Sequence, residues 1–334
     1  MSARIAILGA GSWGTALSIH CARIGHDVSF WGRDPSLIEE IDRTRENPRY
    51  LRGVPLTKRV IPTASIDEAL AGATVVIATL PSHGMRQVLR DAQPFIPAGA
   101  IVVSATKGLE TDTLERMSQV IADEVTDRPI AVLSGPSFAF EVARGKPTAV
   151  VVASSAPDVA SRVQDLLRGP TFRLYASDDV TGVEFGGALK NVIAIAAGVV
   201  EGLGIGHNAM AALITRGLVE MSRLACAEGS RSDTLAGLSG LGDLVLTCTG
   251  DLSRNRHVGI KLGQGEQLSD ILGRMRMVAE GIRTTAAALA LGERHGVELP
   301  LAAQMAAVLD GRTTAREAVE RLMLRPQRSE RDSN

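Results

Sequence analysis

Lys190 is the residue of this chain whose setting points most directly to chemistry. It is the only ionisable residue between Glu184 and Glu201, in the run Phe-Gly-Gly-Ala-Leu-Lys-Asn-Val-Ile-Ala-Ile-Ala-Ala-Gly-Val-Val. A helix that is apolar on every side is normally buried, and burial moves the pKa of an ammonium group down toward neutrality. Lys190 is therefore a candidate proton donor or acceptor. The alternative is a lysine near a helix start whose alkyl stem lets the ammonium group reach water.

A second candidate site lies near the N-terminus. The apolar run 4–8 is followed at once by Gly9-Ala-Gly11-Ser-Trp-Gly14, then by a helical pattern over 15–24 and a strand pattern over 27–31. In such a βαβ unit, the G-x-G-x-x-G pattern indicates a dinucleotide site. Gly9 allows the tight turn, Gly11 lets the backbone approach a pyrophosphate, and Gly14 lets helix and strand pack closely. An ordinary glycine-rich βα turn is the alternative.

The end of the second strand bears on the choice of dinucleotide. It reads Trp-Gly-Arg33-Asp34-Pro, so a guanidinium group precedes the acidic residue. Arg33 could hold the 2′-phosphate of NADP, whereas Asp34 could accept a hydrogen bond from the ribose 2′-hydroxyl of NAD. We expect use of both NADH and NADPH, with a preference for NADPH. The alternative for Arg33 is a solvated loop charge.

The alternation of strand and helix patterns predicts two domains. Short apolar strand patterns continue over 73–79, 100–104, 129–133, 148–153 and 171–175. Such runs are typical of a parallel sheet covered on both faces. After residue 180 only helical patterns follow, over 186–202, 208–228, 233–247, 255–263, 268–273, 282–295, 299–309 and 314–323. The sequence thus predicts a Rossmann-type doubly wound α/β domain over 1–180, an all-α substrate domain over 181–324 and a polar, disordered tail over 325–334.

Polar residues at the ends of the predicted strands mark a crevice. Lys107 follows the strand at 100–104, and the loop Ser-Gly135-Pro-Ser137 follows the strand at 129–133. Ligands of open α/β sheets bind beyond the carboxyl ends of the strands, so we expect Lys107 to face a ligand. The Gly-Pro-Ser loop has the alternative interpretation of plain turn chemistry.

The helical half carries further polar candidates. Asp243 is the only carboxylate in the apolar segment 238–248, and Ser253-Arg254-Asn255 stands at a predicted helix start. A guanidinium, an amide and helix N–H groups together would suit a phosphate. Ser253 has the alternative role of an N-cap, and Arg254 and Asn255 that of a solvated first turn.

Composition excludes several classes of function. The net charge of −1 and an aromatic content of 3% argue against a nucleic-acid partner. The six histidines and three cysteines show no metal-ligand spacing, so no protein-ligated metal is expected. No G-x-S-x-G motif of a serine hydrolase occurs. We expect no membrane span, because no continuous apolar run reaches about 18 residues, and a cytoplasmic location, because the sequence has no secretory signal pattern.

Six motifs in order resemble the bacterial NAD(P)-dependent glycerol-3-phosphate dehydrogenases over residues 4 to 324. The residues that carry the resemblance are Gly9-Ala-Gly-Ser-Trp-Gly-Thr-Ala16, Ala105-Thr-Lys-Gly-Leu-Glu110, Ser134-Gly-Pro-Ser-Phe-Ala139, Gly187-Ala-Leu-Lys-Asn-Val192, Leu241-Gly-Asp-Leu244 and Ser253-Arg-Asn-Arg256. The resemblance implies a cytosolic enzyme with a Rossmann-type domain and a helical substrate domain. It also implies reduction of dihydroxyacetone phosphate to sn-glycerol 3-phosphate, the backbone precursor of glycerophospholipids.

The resemblance also implies roles for individual residues. Lys190 would be the catalytic proton donor or acceptor, and Lys107 would contact both cofactor and substrate. Further substrate contacts would come from Gly135, Ser137, Asp243, Ser253, Arg254 and Asn255. Cofactor contacts would come from Ser12, Trp13, Arg33, Tyr50, Ala139, Arg254, Val278 and Glu280. Tyr50, Val278 and Glu280 rest on the resemblance alone.

The candidate residues and the family resemblance together imply one mechanism. Hydride reaches the ketone C2 from the reduced nicotinamide, and Lys190 protonates the developing alkoxide. Lys107 adds positive charge nearby, while Asp243 holds the substrate or a lysine in register. A related 3-hydroxyacid, 6-phosphogluconate or ketopantoate reductase and a non-catalytic dinucleotide sensor remain alternatives. A homodimer is one assembly open to such a chain, although the sequence does not decide its oligomeric state.

Overall fold

A computed structural model describes residues 2–275, 279–327 and 329–330. Two groups of strands form in its first half. The strands are β1 (Arg4–Leu8), β2 (Asp27–Trp31), β3 (Glu46–Asn47), β4 (Leu51–Pro55), β5 (Val60–Thr63), β6 (Val75–Ala78), β7 (Ile101–Ser104), β8 (Ile130–Ser134), β9 (Thr148–Ala153) and β10 (Phe172–Ser177). Within the described residues, eight of them form one sheet in the order β10-β9-β8-β7-β6-β1-β2-β5, and β3 pairs with β4. The predicted Rossmann-type α/β architecture is confirmed.

Helices on both faces of this sheet bury it. The helices of the first half are α1 (Ser12–Arg23), α2 (Pro35–Thr44), α3 (Ile66–Leu70), α4 (Ser82–Ala92), α5 (Met117–Glu124), α6 (Ala139–Ala143) and α7 (Pro157–Leu167), with a 3₁₀ turn at Gln93–Phe95. One apolar cluster forms around Ile5, Ile7 and Phe30, and another around Ala6, Leu8 and Val76. Alternate residues of β1 thus belong to opposite clusters, as side chains of a strand point alternately to the two faces.

The expectation of a wholly parallel sheet is wrong at one pair of strands. β8 and β9 run antiparallel, with Leu133 opposite Val152, while β9 and β10 are parallel to each other. Both β8 and β9 are apolar along their length and carry buried residues. A strand covered on both faces gives the same apolar run in either direction, so the sequence pattern could not show the reversal.

The second half of the chain is helical and packs around one central helix. Its helices are α8 (Val180–Gly202), α9 (His207–Ala227), α10 (Ser232–Ala236), α11 (Asp243–Thr249), α12 (Arg254–Gly263), α13 (Leu268–Arg274), α14 (Glu280–His295), α15 (Pro300–Leu309) and α16 (Ala315–Met323). Every residue of α8 from Gly182 to Val200 is buried. Residues of the other helices, such as Leu224, Leu244 and Val258, complete the same apolar core.

Helix α8 also bears on the expectation about membranes. By length and composition it is long and apolar enough to cross a membrane, and among the described residues it is the only such helix. The sequence predicted no helix of this kind, because its continuous apolar runs are shorter than the whole of α8. Its apolar stretch is entirely buried inside the protein, so α8 is the core helix of the second half.

The predicted helix over 233–247 is in fact three segments. α10 ends at Ala236, a π-helical turn covers Leu238–Gly242, and α11 begins at Asp243. A Cβ at Gly240 would collide with the Leu235 backbone, and a Cβ at Gly186 of α8 would collide with the Ser239 backbone. The glycines therefore allow a tight turn that packs directly on α8. As a result of this turn, α11 starts beside α8, and Asp243 is its first residue.

The change from sheet to helices falls close to the predicted domain boundary. β10 ends at Ser177 and α8 begins at Val180, with the Asp179 carboxylate accepting a hydrogen bond from Gly182 N at 2.8 Å. The division at residue 180 itself stays a prediction. In the predicted tail, Arg325 forms an ion pair with Glu298 at 3.1 Å, while positions 328 and 331–334 lie outside the described residues.

Candidate active site

The glycine-rich loop has the shape of a dinucleotide cradle. Gly9 has φ +120°, and a Cβ there would lie 2.8 Å from Thr79 Oγ1 and 2.9 Å from the Thr79 carbonyl oxygen. A Cβ at Gly14 would collide with the Gly9 carbonyl, whereas one at Gly11 would meet nothing within 4 Å among the described residues. The tight turn at Gly9, close packing at Gly14 and open approach at Gly11 are what a bound pyrophosphate requires.

The first turn of α1 supplies the donors for such an anion. The helix begins at Ser12, three residues earlier than its sequence pattern indicated, with Gly11 as its N-cap. Within the described part of the chain, no side chain caps this end. Backbone N–H groups in a first helical turn have no partner inside the helix and attract anions. The loop therefore fits the pyrophosphate of a dinucleotide.

A segment that the sequence pattern left unassigned folds against the glycine loop. Asn47 is fully buried, and its Nδ2 donates to the Ala10 carbonyl at 3.0 Å and to Thr15 Oγ1 at 2.8 Å. Ser12 Oγ donates to the Tyr50 carbonyl at 2.7 Å. These bonds hold Tyr50 beside the loop, and Tyr50 and Trp13 both pack against the apolar core of the first half. Asn47 is thus the polar residue that brings Tyr50 to the candidate cofactor site.

At the end of β2, the acidic residue is already engaged. Asp34 caps α2, because its Oδ1 accepts from Ser36 N at 3.0 Å and from Leu37 N at 3.3 Å. Its Oδ2 forms an ion pair with Arg49 Nη1 at 2.6 Å. Arg33 is exposed and forms no ion pair with any residue that the structure describes. The free charge at this end of β2 is therefore positive.

A buried carboxylate joins the two candidate lysines. Asp243 Oδ1 lies 2.5 Å from Lys190 Nζ, and Asp243 Oδ2 lies 2.6 Å from Lys107 Nζ. Asp243 is 1% exposed, the Lys190 side chain 8% and the Lys107 side chain 19%. Lys190 Nζ also donates to Thr247 Oγ1 at 2.8 Å. The structure thus brings Lys190, Lys107 and Asp243 together from α8, the loop after β7 and α11.

Burial sets the protonation behaviour of this cluster. Loss of solvent is the largest effect on Lys190 and, together with the Lys107 charge, lowers its pKa from 10.5 to about 7 against the opposing effect of the Asp243 charge. A group with a pKa near the working pH is well suited to general acid–base catalysis. Lys190 can therefore hold or release a proton near neutral pH.

Lys107 is fixed by the loop that follows β8. Its Nζ donates to the Gly135 carbonyl at 2.8 Å and lies 3.3 Å from Ser137 Oγ. A Cβ at Gly187 of α8 would lie 2.5 Å from Ser134 Oγ and 3.4 Å from Lys107 Cγ. Glycine at position 187 therefore lets this loop and Lys107 pack against α8, one turn before Lys190. Ala139 lies just beyond the same loop, as the first residue of α6.

The predicted helix start at Ser253 is confirmed. Ser253 is the N-cap of α12, with its Oγ accepting from Arg256 N at 3.2 Å, and Arg254 is exposed in the first turn. Asn255 is buried: its Nδ2 donates to Asn191 Oδ1 at 2.9 Å, and its Oδ1 accepts from Gly281 N at 3.1 Å. Arg254 is thus an exposed residue at the start of α12, while the Asn255 side chain ties α12 to α8 and α14.

Other site residues connect the two halves of the chain. Glu280, the first residue of α14, accepts from Ser82 Oγ at 2.8 Å and from Ser82 N at 3.4 Å, which ties it to the start of α4. Val278, also expected at the cofactor, lies outside the described residues.

Thr247, which accepts a hydrogen bond from Lys190, was not predicted from the sequence. Its spacing of four from Asp243 on one helix was the available signal, because residues i and i+4 share a face.

The comparisons with known proteins agree over the whole chain. The sequence profile for the N-terminus of NAD-dependent glycerol-3-phosphate dehydrogenase matches residues 4–160, and the profile for its C-terminus matches residues 179–320. The chain is 52% identical over 335 residues to a glycerol-3-phosphate dehydrogenase (NAD(P)+) of Geobacter sulfurreducens, covering 99% of this chain and 100% of that protein. It is 51% identical over 333 residues to the enzyme of the same name from Citrifermentans bemidjiense, covering 99% of each.

A solved structure shows the same fold at moderate identity. The crystal structure of glycerol-3-phosphate dehydrogenase from Coxiella burnetii superposes with a TM-score of 0.94 at 40% identity, covering 97% of this chain and 99% of that one. The hydroxyacid and ketopantoate reductase alternatives are therefore not favoured. With both profiles matched and half of the residues identical over full length, the chain belongs to the NAD-dependent glycerol-3-phosphate dehydrogenase family.

Proposed function

We propose that this protein interconverts dihydroxyacetone phosphate and sn-glycerol 3-phosphate with a nicotinamide dinucleotide, and that Lys190 carries the proton. The observation that supports this proposal most strongly is the buried Lys190–Asp243–Lys107 cluster, in which one carboxylate lies within 2.6 Å of both ammonium groups. A dinucleotide sensor without chemistry would have no need for a lysine with a pKa of about 7 at this place. The product would supply the backbone for glycerophospholipids.

The dinucleotide would be held by the glycine loop and the first turn of α1. The open space at Gly11 and the close contacts at Gly9 and Gly14 fit its pyrophosphate. When bound in its reduced form, it supplies the hydride for the ketone carbon.

The protein's own groups would do the remaining chemistry. Lys190 donates its proton to the oxygen on the reacting carbon, and in the reverse direction it accepts that proton. Asp243 keeps the Lys190 ammonium group in place through Oδ1, and Thr247 Oγ1 accepts a second hydrogen bond from it. Lys107, the more exposed of the two lysines, adds positive charge on the substrate side. Because the cluster is shielded from water, these charges interact more strongly than they would at the surface.

The substrate phosphate would bind at the start of α12. Arg254 is exposed there, and the N–H groups of the first turn point out of the helix. Phosphate binding energy at this remote point positions the carbonyl for reaction.

NADPH is the cofactor we expect to be preferred. Arg33 is exposed after β2, while Asp34 is occupied as the cap of α2 and by Arg49. A ribose 2′-hydroxyl would therefore find its usual carboxylate partner engaged, whereas a 2′-phosphate would find a free guanidinium group. We also propose that the enzyme works in the cytoplasm.

Initial rates test the reaction and the proton donor together. We expect oxidation of NADPH, and more slowly of NADH, that depends on dihydroxyacetone phosphate. Lys190→Ala should lower kcat by about 100-fold or more, the usual scale for loss of a general acid. Lys261→Ala, which removes a lysine at the surface of α12, is the matched control and should leave the rate unchanged. Absence of ketone-dependent oxidation in the wild type would favour the sensor alternative, and near-normal kcat in Lys190→Ala would remove that lysine from the mechanism.

A further inference from the structure

Arg49 lies at the same end of β2 as Arg33, although it is 16 positions further along the chain. The bonds of Asn47 to Ala10 and Thr15 fold the 46–50 segment back over the glycine loop. Arg49 Nη1 then lies 2.6 Å from Asp34 Oδ2, and Arg49 Nη2 lies 3.2 Å from Ser36 Oγ. Its side chain remains 42% exposed, so the guanidinium group is both anchored and accessible.

The charge balance at this place depends on Arg49. Arg33 and Arg49 together carry two positive charges, and Asp34 carries one negative charge, so the three residues have a formal charge of about +1. Without Arg49 the remaining pair would be neutral. The ribose 2′ position of a dinucleotide lies at the carboxyl end of β2 in a Rossmann-type unit. With Arg49 present, the net positive charge would attract a phosphate at that position. Without Arg49, the net charge there would be close to zero and the attraction would be weak.

We infer that Arg49 is a second cationic contact for the 2′-phosphate of NADPH and helps to set cofactor preference. The inference rests on the proposed NADPH preference and adds a residue to it. Arg33 supplies an exposed guanidinium group, and Arg49 supplies one whose position is fixed by Asp34 and Ser36. A guanidinium fork held in this way loses little side-chain freedom when it binds a phosphate.

Dissociation constants for NADPH and NADH test this role. We expect Arg49→Ala to raise the Kd for NADPH by about fivefold or more, as for loss of a partly exposed charge-assisted contact, and the Kd for NADH by less than about twofold. Arg49→Lys should recover part of the difference, because a lysine keeps the charge but not the fork. Arg59→Ala is the matched control. Arg59 pairs with Asp27 at the opposite end of β2, with Nη1 2.7 Å from Oδ1, so neither Kd should change.

A second variant tests whether Arg49 contacts the 2′-phosphate directly or only neutralises the charge of Asp34. Asp34→Asn combined with Arg49→Ala keeps a good N-cap for α2 and removes the exposed carboxylate. We expect this double variant to bind NADPH more tightly than Arg49→Ala, because its formal charge returns to about +1, but still more weakly than the wild type, because the Arg49 contact is absent. Recovery of wild-type NADPH affinity would overturn the inference, because Arg49 would then only neutralise Asp34. Equal weakening of NADPH and NADH by Arg49→Ala, or no weakening, would also overturn it.

Inhibition by nucleotide fragments distinguishes this inference from the function on which it rests. Wild-type protein should bind 2′,5′-ADP more tightly than ADP. If it binds the two equally, the NADPH preference itself is wrong, and the role of Arg49 is overturned with it. If the wild type discriminates and Arg49→Ala discriminates just as well, only the role of Arg49 is overturned. Ketone-dependent oxidation of NADH reports separately on the catalytic proposal.

Discussion

Replacing Asp243 by asparagine removes the charge that binds both lysines while keeping the shape of the side chain. In the wild type, each carboxylate oxygen receives one ammonium group, at 2.5 Å from Lys190 Nζ and 2.6 Å from Lys107 Nζ. Asparagine keeps one acceptor oxygen, but it turns an NH₂ group toward the other lysine, so that two donors face each other. Asp243 is 1% exposed, and water therefore cannot readily replace the lost acceptor.

The magnitude follows from the strength of the lost interaction. A hydrogen bond to a charged group contributes about 1.5–3 kcal/mol, and about 1.4 kcal/mol corresponds to one pH unit in a pKa. Asp243 raises the pKa of Lys190, which burial has lowered to about 7. Without that carboxylate charge, the pKa of Lys190 should fall by about one to two pH units. At neutral pH the lysine of the variant would then be almost entirely neutral.

The pH profile of ketone reduction is the appropriate assay. Reduction needs protonated Lys190, so kcat should be high at low pH and fall as the pH rises through about 7. In Asp243→Asn this fall should occur near pH 5–6, and kcat at pH 7.5 should drop by about tenfold to 100-fold. Asp251→Asn is the control, because Asp251 is 95% exposed and forms a surface ion pair with Arg256. A profile of Asp243→Asn that falls at the wild-type pH would refute the reasoning that Asp243 sets the pKa of Lys190.

Arg254→Ala should lower kcat/KM for dihydroxyacetone phosphate about tenfold more than for unphosphorylated dihydroxyacetone, and an unchanged ratio would place the phosphate elsewhere. Burial raises the pKa of Glu220 from 4.5 to about 7, so this residue stabilises the fold below pH 4.5 and that contribution is lost as the pH rises through 7. Glu220→Gln should therefore flatten the fall in Tm between pH 5 and 8, and an equally steep fall would contradict this. Gly259→Ala would place a Cβ against the Ile195 carbonyl of α8, and urea unfolding should show a loss of about 1–3 kcal/mol, whereas wild-type stability would mean that the two helices can separate freely.

The sequence predicted those parts of the site that are continuous along the chain. The strand, glycine loop and helix at residues 4–23 follow one another, and each glycine acts on its immediate neighbours. The apolar run around Lys190 predicted a buried helix for a similar reason. A helix apolar on all sides has no face that could remain in water, and α8 is indeed the most completely buried helix of the second half.

The parts that the sequence did not predict depend on contacts between distant residues. Asn47 reaches back 37 positions to the Ala10 carbonyl, and nothing in its local sequence distinguishes it from an ordinary turn asparagine. The sequence indicated Asp34 as a possible contact for the ribose 2′-hydroxyl. In the structure it caps α2 instead, because the helix begins directly after it at Pro35. The π-helical turn before Asp243 was also hidden, because the sequence around it has the apolar spacing of a regular helix.

The bridging carboxylate explains why two lysines can share one buried site and still differ in role. With Lys190 protonated, the cluster of Lys190, Lys107 and Asp243 carries one net positive charge, and with Lys190 neutral it carries none. The Lys107–Asp243 pair, whose Nζ and Oδ2 are 2.6 Å apart, thus remains balanced after Lys190 has released its proton. A buried cluster is most stable when its charges cancel, so release from Lys190 leaves the favoured state. Lys107 is more exposed than Lys190 and is held by the Gly135 carbonyl as well as by Asp243. The same arrangement therefore buries the lysine whose pKa is lowered and leaves the second lysine nearer to the solvent.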